Sequence, residues 1–496
     1  MKKASRDNEN NAFHGNSWDR VVGFFSPARA IQNIKTRRIL ERGYAGANNT
    51  PSLDKYWLGG GDSNSDIRQD RQRTADRVRQ LARDMPWLNG AIEASVAFKV
   101  GEGFNMKPAV KSKSGKLLKG ENQIIKDAFS RWAEKAEING RDAFCDIQQL
   151  CARQMIECGE ALAIHRYDEN KRYCLQVYEP DCIKSLSNSA NIDQGIEFDQ
   201  ETNRYLKYHL VNTYSTQETA AVEKSVPADD VLHLYKQFRP WQRRGISPLV
   251  QTVLIAADLD EFLSNELSAQ QMASRWLAFI TDPNDVTSDK PESKVIDNLT
   301  IEYLSGGKQV QFAPGADRPT TGVEAFQAIF LRVLSVILHV PYHVISCDYG
   351  GLNYNQLREI RNNTLHLLKP DWSYMTRRLI QPTYRRWMDW AVLTGELSLK
   401  NYFLPGGREY WQKCFFIPPG LESVDILRDV KGVIEASKAG FYDPQDWIMG
   451  QGEDPDEIIS GLADFVDKLK AVGLGSSLDV KSDTKLGQAP SDLGTE

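Results

Sequence analysis

One stretch, residues 239–281, constrains the fold of this chain more than any other. It reads RPWQRRGISPLVQTVLIAADLDEFLSNELSAQQMASRWLAFIT, a basic and aromatic turn followed by a long segment that contains no glycine and no second proline. Ser247 can accept a hydrogen bond from the first free amides of a helix, and Pro248 suits the first helical position because its missing N–H would be unpaired there. The next proline is Pro283, so we predict one helix over residues 247–280, roughly 50 Å long at 1.5 Å per residue.

This predicted helix has an apolar side and an acidic side, and it is longer than the core of an ordinary globular protein of this size requires. Taken alone, the stretch favours a long core helix in an α-rich enzyme. The apolar positions at helical spacing are Ala269, Met272, Ala273, Trp276 and Ile280, and the acidic positions are Asp258, Asp260, Glu261 and Glu266.

Composition excludes some classes of protein. The 496 residues are 41% hydrophobic, which is enough for a sizeable core and for two to four domains. Lys and Arg total 61 and Asp and Glu total 66, so a net charge of −5 gives no overall attraction for nucleic acid. The N-terminus MKKASRDNENNAFHG has no apolar core and is not a secretory signal, and the longest apolar run, residues 333–344, is too short to span a bilayer. We therefore expect no membrane segment and a protein that stays in the cytoplasm in which it is made.

Before the long helix, the sequence predicts helices followed by a β unit. Residues 1–65 mix basic residues with Gly, Asn and Ser and are expected to form a loosely held arm. A helix pair broken near Pro86, a strand after the VGEGF turn and two further helices come next. Strand-like periods then fill residues 158–236, which predicts a small, mainly antiparallel β unit.

After the long helix, the sequence predicts a short excursion with two strands and then a second helix that returns. Residues 281–321 carry two short strand-like pieces, LTIEYL and KQVQFA, and a helix is predicted over 322–339. Asn355 is the expected N-cap of a third long helix, bent near Pro370 and again at Pro382. Its aromatic residues (Trp372, Tyr374, Tyr384, Trp387 and Trp390) are predicted to be core. A small helical bundle and a tail without a core, 473–496, complete the chain.

No catalytic or cofactor motif is present in the sequence. It lacks GxxxxGK[ST], GxSxG, HExxH and any CxxC pair, so we assign no catalytic residue, no metal ligand and no cofactor. His165, His209 and His233 lie in separate predicted strands and are interpreted as structural, and Pro341 breaks the register between His339 and His343. One function that the sequence leaves open is that of an α/β hydrolase or nuclease that uses Asp or Glu with a metal ion.

The order of these elements, together with several motifs, resembles the lambda-type family of tailed-bacteriophage portal proteins. The resemblance covers about residues 40–470, and RPWQRRGISPL is its most specific element. The motifs that carry it are RQLARDM from Arg79, VGEGF from Val100, GEALAIHR from Gly159, LQVYEPD from Leu175, HLYKQFRPWQRRGISPL from His233, the ASRWLAFI end of the long helix, NYNQLREIR from Asn353 and PTYRRWMDWAVLTGEL from Pro382.

The resemblance implies a portal fold of class α+β, with long stem helices, a mixed α/β wing, a small clip and a helical crown. The implied parts are a flexible arm (1–65), wing (66–246), stem helix (247–280), clip (281–321), returning stem helix (322–340), tunnel loop (341–356), bent wing helix (357–417), crown (418–472) and disordered tail (473–496). It also implies a homo-dodecameric ring at the capsid vertex of the virion, through which double-stranded DNA is packaged and ejected. The implied partners are terminase, the major capsid or scaffold protein and head-completion or adaptor proteins, and the chain is not an enzyme.

Two groups of residues are the expected functional sites. The resemblance implies a DNA-facing tunnel loop at Tyr349, Gly350, Gly351, Asn353 and Tyr354, and a hinge between stem and wing at Arg239, Gln242, Arg244 and Gly245. An acidic or neutral channel is physically suited to a sliding duplex, because fixed lysines would pair with phosphates and hold the DNA in one register. Closure of a ring would also give the long helix neighbours on both sides.

Overall fold

The computed structural model describes residues 62–184, 189–211, 223–274, 279–281, 293–296, 299–304, 321–421, 423 and 425–472. The chain divides into two compact units, Met1–Asp62 and Ser63–Glu496, and the fold given below is that of the second unit. Most of the predicted arm and the whole of the predicted tail lie outside the described residues.

Helices predominate, and most lie where the 3.6-residue apolar period predicts them. A 3₁₀ turn, Pro248–Gln251, precedes the long helix, and a π turn, Thr376–Ile380, joins two helices. The helices are α1 (Ser63–Asp84), α2 (Pro86–Lys99), α3 (Lys119–Ala133), α4 (Phe144–Glu157), α5 (Val253–Ser274), α6 (Thr321–Leu338), α7 (Tyr342–Ser346), α8 (Tyr354–Met375), α9 (Gln381–Leu393), α10 (Gly407–Trp411), α11 (Ile426–Lys438), α12 (Pro444–Gly450) and α13 (Pro455–Ala471).

The strands form small sheets. They are β1 (Asn105–Pro108), β2 (Glu160–Tyr167), β3 (Tyr173–Tyr178), β4 (Ile192–Asp193), β5 (Ile196–Phe198), β6 (Tyr205–Val211), β7 (Glu223–Pro227), β8 (Val231–Tyr235), β9 (Phe279–Thr281), β10 (Ser293–Ile296), β11 (Leu299–Leu304) and β12 (Cys414–Ile417). Two antiparallel sheets, ordered β3-β2-β8 and β4-β5-β6-β7, make up the predicted β unit. β1 pairs with β12 and so joins distant parts of the chain.

The main core lies between the early helices and the helices after residue 321. Phe129, Trp132, Tyr384 and Trp387 are buried and pack with ring centroids between 5.0 and 6.4 Å apart. Such contacts bury large apolar areas in one place. The prediction that the aromatic residues of the third long helix are core is therefore confirmed for Trp372, Tyr384 and Trp387, whereas Tyr374 and Trp390 are half-buried.

The first helix begins earlier than predicted. α1 begins at Ser63, inside the glycine-rich segment assigned to the arm, and Ser63 and Asn64 are buried. The Asn64 side chain donates to the carbonyl of Trp241 (3.1 Å) and accepts from the amide of Arg243 (2.9 Å). These tertiary bonds order residues that composition alone assigns to a loop.

The predicted long helix is shorter at both ends. Ser247 Oγ accepts from the Leu249 amide at 3.1 Å, so the predicted cap is confirmed, but it caps the 3₁₀ turn and α5 begins only at Val253. At the other end, residues 279–281 form β9 instead of helix and pair in parallel with β11. Aromatic and β-branched side chains favour a strand there. Of the two strands predicted in the excursion, LTIEYL is confirmed as β11, and KQVQFA lies outside the described residues.

The third long helix also differs from the prediction, both in the residue that caps it and in the place where it is irregular. Asn353, not Asn355, is the N-cap of α8: its side chain accepts from the Gln356 amide, and the Gln356 side chain accepts from the Asn353 amide, each at 3.0 Å. α8 continues through Pro370, and the irregularity is the π turn before Pro382. Because Pro382 has no N–H, it cannot donate to the carbonyl four residues earlier, and a wider turn accommodates its ring.

Candidate functional site

The predicted hinge is organised around Glu160, the first residue of β2. Its carboxylate is fully buried and accepts from Arg244 Nη2 (2.6 Å) and Nε (2.9 Å), from Arg71 Nη1 (2.9 Å) and from the amide of Gly245 (3.0 Å). His233 Nε2 lies 3.0 Å from the same carboxylate. Burial alone would raise the pKa of Glu160, but the Arg244 charge and the hydrogen bonds hold that pKa well below its usual range. The carboxylate is therefore ionised.

Arg244 connects this carboxylate to the surrounding backbone. Its guanidinium also donates to the carbonyl oxygens of Pro180 (2.8 Å), Gln194 (3.0 Å) and Ile183 (3.1 Å). Only a planar guanidinium can combine a bidentate carboxylate pair with several carbonyl bonds. Arg244 therefore fixes both sheets of the β unit to the turn before α5.

Gly245 is required by backbone contact. A Cβ at this position would lie 2.1 Å from the carbonyl oxygen of Gly159, and a Cβ on Gly159 would lie 2.0 Å from the carbonyl carbon of Ile246. Two glycines thus face each other where β2 begins, and Gly159 has a φ of +82°. No side chain fits on either without backbone movement.

Gln242 holds the hinge loop closed. Its buried side chain accepts from the amide of Phe238 (2.9 Å) and donates to the carbonyl of Arg244 (2.8 Å). Arg239 lies on the surface, where it forms an ion pair with Asp66 of α1 at 3.4 Å. The structure therefore brings Gln242, Arg244 and Gly245 together and leaves Arg239 at the periphery.

The sequence interpretation missed Glu160, Arg71 and Asp181. Arg71 and Arg79 of α1 both bind the buried Asp181, at 3.3 and 2.6 Å. A signal was available, because a glutamate at the head of the otherwise apolar strand EALAI needs a cationic partner if that strand is buried.

A second charged cluster joins α6 to the core. Asp371 of α8 is buried and lies 2.5 Å from Lys236 Nζ, 3.4 Å from Lys99 Nζ and 3.8 Å from His339 Nδ1. Burial opposes ionisation of Asp371, but His339 and the two lysines keep its pKa well below its usual range. His339 follows α6 directly and has a φ of +59°. The cluster fixes the end of α6 beside α2 and the end of β8.

The predicted tunnel-loop residues differ in their surroundings. Tyr349 is exposed and packs edge-on against His343, with ring centroids 5.5 Å apart, and Gly350 donates its amide to Asp348 Oδ1 at 2.9 Å. Gly351 has a φ of +73°. Asn353 and Tyr354 belong to the cap and first turn of α8, and the Arg428 guanidinium of α11 lies 5.5 Å from the Tyr354 ring centroid. The predicted loop also contains the short helix α7.

The acidic residues of α5 face outward from this subunit. Asp258, Asp260 and Glu261 are exposed and Glu266 is half-buried, whereas Ala256 and Leu259 of the same helix are buried. Phe262 meets Phe326 of α6 with ring centroids 5.3 Å apart. α5 and α6 therefore pack together while the acidic face stays free of the core.

In the ranges that the structure describes, no three His, Cys, Asp or Glu side chains are grouped so that they could hold a metal ion. Among these same residues, no helix combines the length and apolar character that a membrane span needs.

The chain is a mixed helix-and-sheet protein in which a rigid charged turn leads into a long helix. Residues 52–365 match the family model described as phage portal protein, lambda family. The chain therefore belongs to the lambda family of phage portal proteins, which confirms the resemblance found in the sequence.

Individual relatives are distant. Portal protein B of Escherichia phage lambda is 22% identical over 241 residues, which span 45% of this chain and 44% of that protein. The match thus covers less than half of the lambda protein's length. The portal protein of Escherichia phage N15 is 20% identical over 415 residues, 72% of this chain and 77% of that protein. A solved chain from the neck of an empty gene transfer agent particle is 13% identical, covers 80% of this chain and 95% of its own length, and has a TM-score of 0.36.

Proposed function

We propose that this protein forms a dodecameric ring at one vertex of the phage capsid and acts as the conduit for double-stranded DNA during packaging and ejection. The ring would dock terminase, the capsid or scaffold protein and the head-completion proteins. Family membership over residues 52–365 supports this proposal. The observation that carries it is the pair α5 and α6, which has an exposed acidic side and exposed apolar positions at the same time.

The exposed apolar positions favour self-assembly. Ile329 and Val336 lie seven residues apart on α6 and are 52% and 75% exposed, although Phe330, Leu334 and Leu338 of the same helix are buried. An apolar stripe of this kind marks an interaction surface. Residues 426–472 carry more exposed apolar side chains: Ile426, Leu427, Ile434, Phe441, Ile459, Leu462, Phe465 and Val472. Neighbouring copies would cover these surfaces in a closed ring.

The acidic face of α5 suits a channel wall. A duplex that must slide needs weak and even contacts, and carboxylates offer no partner for phosphates. Asp258 and Glu261, three residues apart on one face of α5, would then face the DNA. In this arrangement α5 and α6 form the stem, residues 281–321 the clip and residues 341–356 the tunnel loop. Residues 66–246 and 357–417 would form the wing and 418–472 the crown, and the turn at Arg239 to Gly245 would be the hinge.

We assign no enzymatic role to this chain. The sequence has no nucleotide-binding loop, so the energy for packaging would come from a separate terminase. No observation favours the alternative of a metal-dependent nuclease or hydrolase. DNA cleavage that requires a metal ion and is lost on replacement of a single carboxylate would establish that alternative instead.

The sedimentation mass of the purified protein tests the proposal. We expect a ring of about twelve subunits, and we expect the double variant Ile329→Asp, Val336→Asp to lose it because carboxylates would be buried at the subunit contact. Leu117→Asp, an exposed leucine in the hairpin before α3, is the matched control and should assemble normally. A wild-type protein that remains a monomer in every condition would contradict the proposal.

A further inference from the structure

A cleft of about 850 Å³ opens beside the hinge loop and β8. Its lining comes from β6, β8, the hinge loop and the π turn between α8 and α9. Four tyrosines line it: the hydroxyls of Tyr205 and Tyr235 are 2.8 Å apart, the hydroxyl of Tyr208 lies 3.3 Å from His233 Nδ1, and the hydroxyl of Tyr374 accepts from the amide of Tyr235 at 2.7 Å. Such a volume is in the range of sites that bind ligands or peptide side chains.

Two arginines of the cleft have no ion-pair or side-chain hydrogen-bond partner among the residues that the structure describes. Arg377 and Arg378 project from the π turn and are exposed, and within the described part of the chain neither forms an ion pair or a side-chain hydrogen bond. Arg243, the third arginine of the lining, is already engaged, because it donates to Asp193 (2.8 Å) and Asn203 (3.0 Å). Asp229 is the acidic residue of the lining, so the cleft is positively charged.

The two histidines of the lining do not add to this charge. Burial lowers the pKa of His165 to about 3 and also lowers the pKa of His233. Both rings are therefore neutral near pH 7 and act as hydrogen-bonding groups. The charge of the cleft comes from guanidinium groups, which are suited to bidentate binding of carboxylates.

An exposed aromatic side chain, Trp241, lies at the rim of the cleft on a backbone that is held in place. Trp241 is 70% exposed and has a φ of +65°, a backbone conformation that is strained for a residue other than glycine. Gln242 clamps the loop, and Asn64 of α1 holds the Trp241 carbonyl, so this conformation is imposed from both sides. An exposed tryptophan on a fixed backbone loses little entropy on binding, and tryptophan is enriched among residues that dominate interfaces.

We propose that this cleft binds an acidic peptide segment of a partner protein, with Arg377 and Arg378 pairing with its carboxylates and Trp241 covering an adjacent apolar or aromatic side chain. Duplex DNA fits the observations less well. Two unpartnered arginines supply fewer phosphate contacts than the six to ten or so of a typical DNA-binding surface, and Asp229 would oppose phosphates. The inference rests on the cleft itself and does not require the proposed ring.

Selection from a surface-displayed library of random 15-residue peptides tests the proposal. The target is the full-length wild-type protein, and binders that also retain the Arg377→Glu, Arg378→Glu variant are removed. We expect enrichment of peptides with clustered Asp or Glu next to an aromatic or aliphatic residue. No enrichment, or enrichment of basic or uncharged peptides, would overturn the proposal.

Fluorescence anisotropy with one enriched, fluorescein-labelled peptide then measures the contribution of each group. Affinity should fall roughly tenfold or more in the Arg377→Glu, Arg378→Glu variant and remain unchanged in Arg385→Glu, which reverses the charge of one exposed arginine of α9 outside the cleft. If the glutamate variant does not fold, Arg377→Gln, Arg378→Gln replaces it. Equal affinities in the cleft and control variants would overturn the proposal.

The variant Trp241→Gly distinguishes a role of this side chain in peptide binding from a role in stability. Glycine accepts the positive φ without strain, so the melting temperature should stay the same or rise while peptide affinity falls roughly tenfold. Unchanged affinity would remove the aromatic anchor from the proposal. Two further outcomes would assign the cleft to a different partner. Tighter binding of a labelled DNA duplex that depends on Arg377 and Arg378 would make the cleft a DNA-binding site. An altered sedimentation mass in the Arg377→Glu, Arg378→Glu variant would make it a contact between subunits.

Discussion

The hinge before α5 and the loop before α8 are both turns that contain glycine and polar residues, yet they are held in different ways. At the hinge, Glu160 joins Arg71, His233 and Arg244, residues from distant parts of the sequence. In the loop, the bonds are local: Gly350 donates to Asp348, and Leu352 donates to the carbonyl of Tyr349 at 3.4 Å. The hinge is thus fixed by tertiary contacts and the loop by its own backbone. This difference suits a rigid joint and a segment that adjusts to what passes it.

The largest effect should come from Gly245→Val. The new side chain would occupy the position of the Gly159 carbonyl, so the turn must open and α5 must shift relative to the β unit. We expect loss of soluble assembled protein. The control is Gly115→Val, in an exposed hairpin with open space around the glycine, whose cost should be limited to its φ of +82°. Normal assembly of Gly245→Val would show that the hinge is not rigid.

Glu160→Gln should have the next largest effect. A neutral amide would leave Arg244 and Arg71 buried without a counter-charge, which costs about 3–5 kcal/mol of the free energy of unfolding. Chemical denaturation measures this, with Glu169→Gln in an exposed turn as the control. A loss below about 1 kcal/mol would mean that the network contributes little to the rigidity of the hinge.

The pH dependence of stability should show a smaller difference than these substitutions do. It compares the β unit beside the hinge, where His165 lies in β2, with the loop before α8. The pKa of His165 is lowered to about 3 by burial, with a smaller effect from Arg386, whereas an unfolded histidine titrates near 6.5. Between these values the unfolded chain binds the additional proton, so stability is complete above pH 6.5 and falls as the pH is lowered. From pH 7 to pH 5 this group should cost about 2 kcal/mol.

His165→Gln should remove that part of the pH dependence. Partial burial also lowers the pKa of His343, beside the loop, so His343→Gln should change the dependence in the same direction by a smaller amount. Thermal unfolding at pH 7 and pH 5 compares the two variants. An equal or larger effect of His343→Gln would reverse the contrast between the regions.

The smallest effect on stability should come from the loop. Tyr349→Ala removes an exposed ring and should change the free energy of unfolding by less than about 0.5 kcal/mol. Removing Gly350 and Gly351 should likewise leave rings intact but impair DNA packaging or retention, measured as packaged DNA per particle. This deletion spares Asn353 and Tyr354, which the structure assigns to the cap and first turn of α8. Unchanged packaging would exclude a tunnel-loop role.

The sequence predicted the elements governed by local rules. Period and capping identified most helices, Ser247 as a cap and LTIEYL as a strand, and the motif around Arg244 led to the family. It did not predict features decided by distant partners. Ser63 and Asn64 are helical because Asn64 binds the hinge loop, and Phe279 lies in a strand because β11 is beside it.

The same reason explains the residues that the sequence interpretation missed. Glu160, Arg71 and Asp181 are separated by up to 110 positions, and no short-range pattern connects them. Arg377 and Arg378 read as ordinary helix-surface residues until the π turn places them in a cleft with Trp241. Chemistry assembled by tertiary contacts is invisible to local periodicity.

A symmetry-resolved electron microscopy reconstruction of the purified protein tests the central claim most directly. We predict a ring of twelve subunits in which Asp258 and Glu261 of α5 face the central channel and Val336 of α6 is covered by a neighbouring subunit. A monomer, or a ring in which the acidic face of α5 points outward from the channel, would contradict this account.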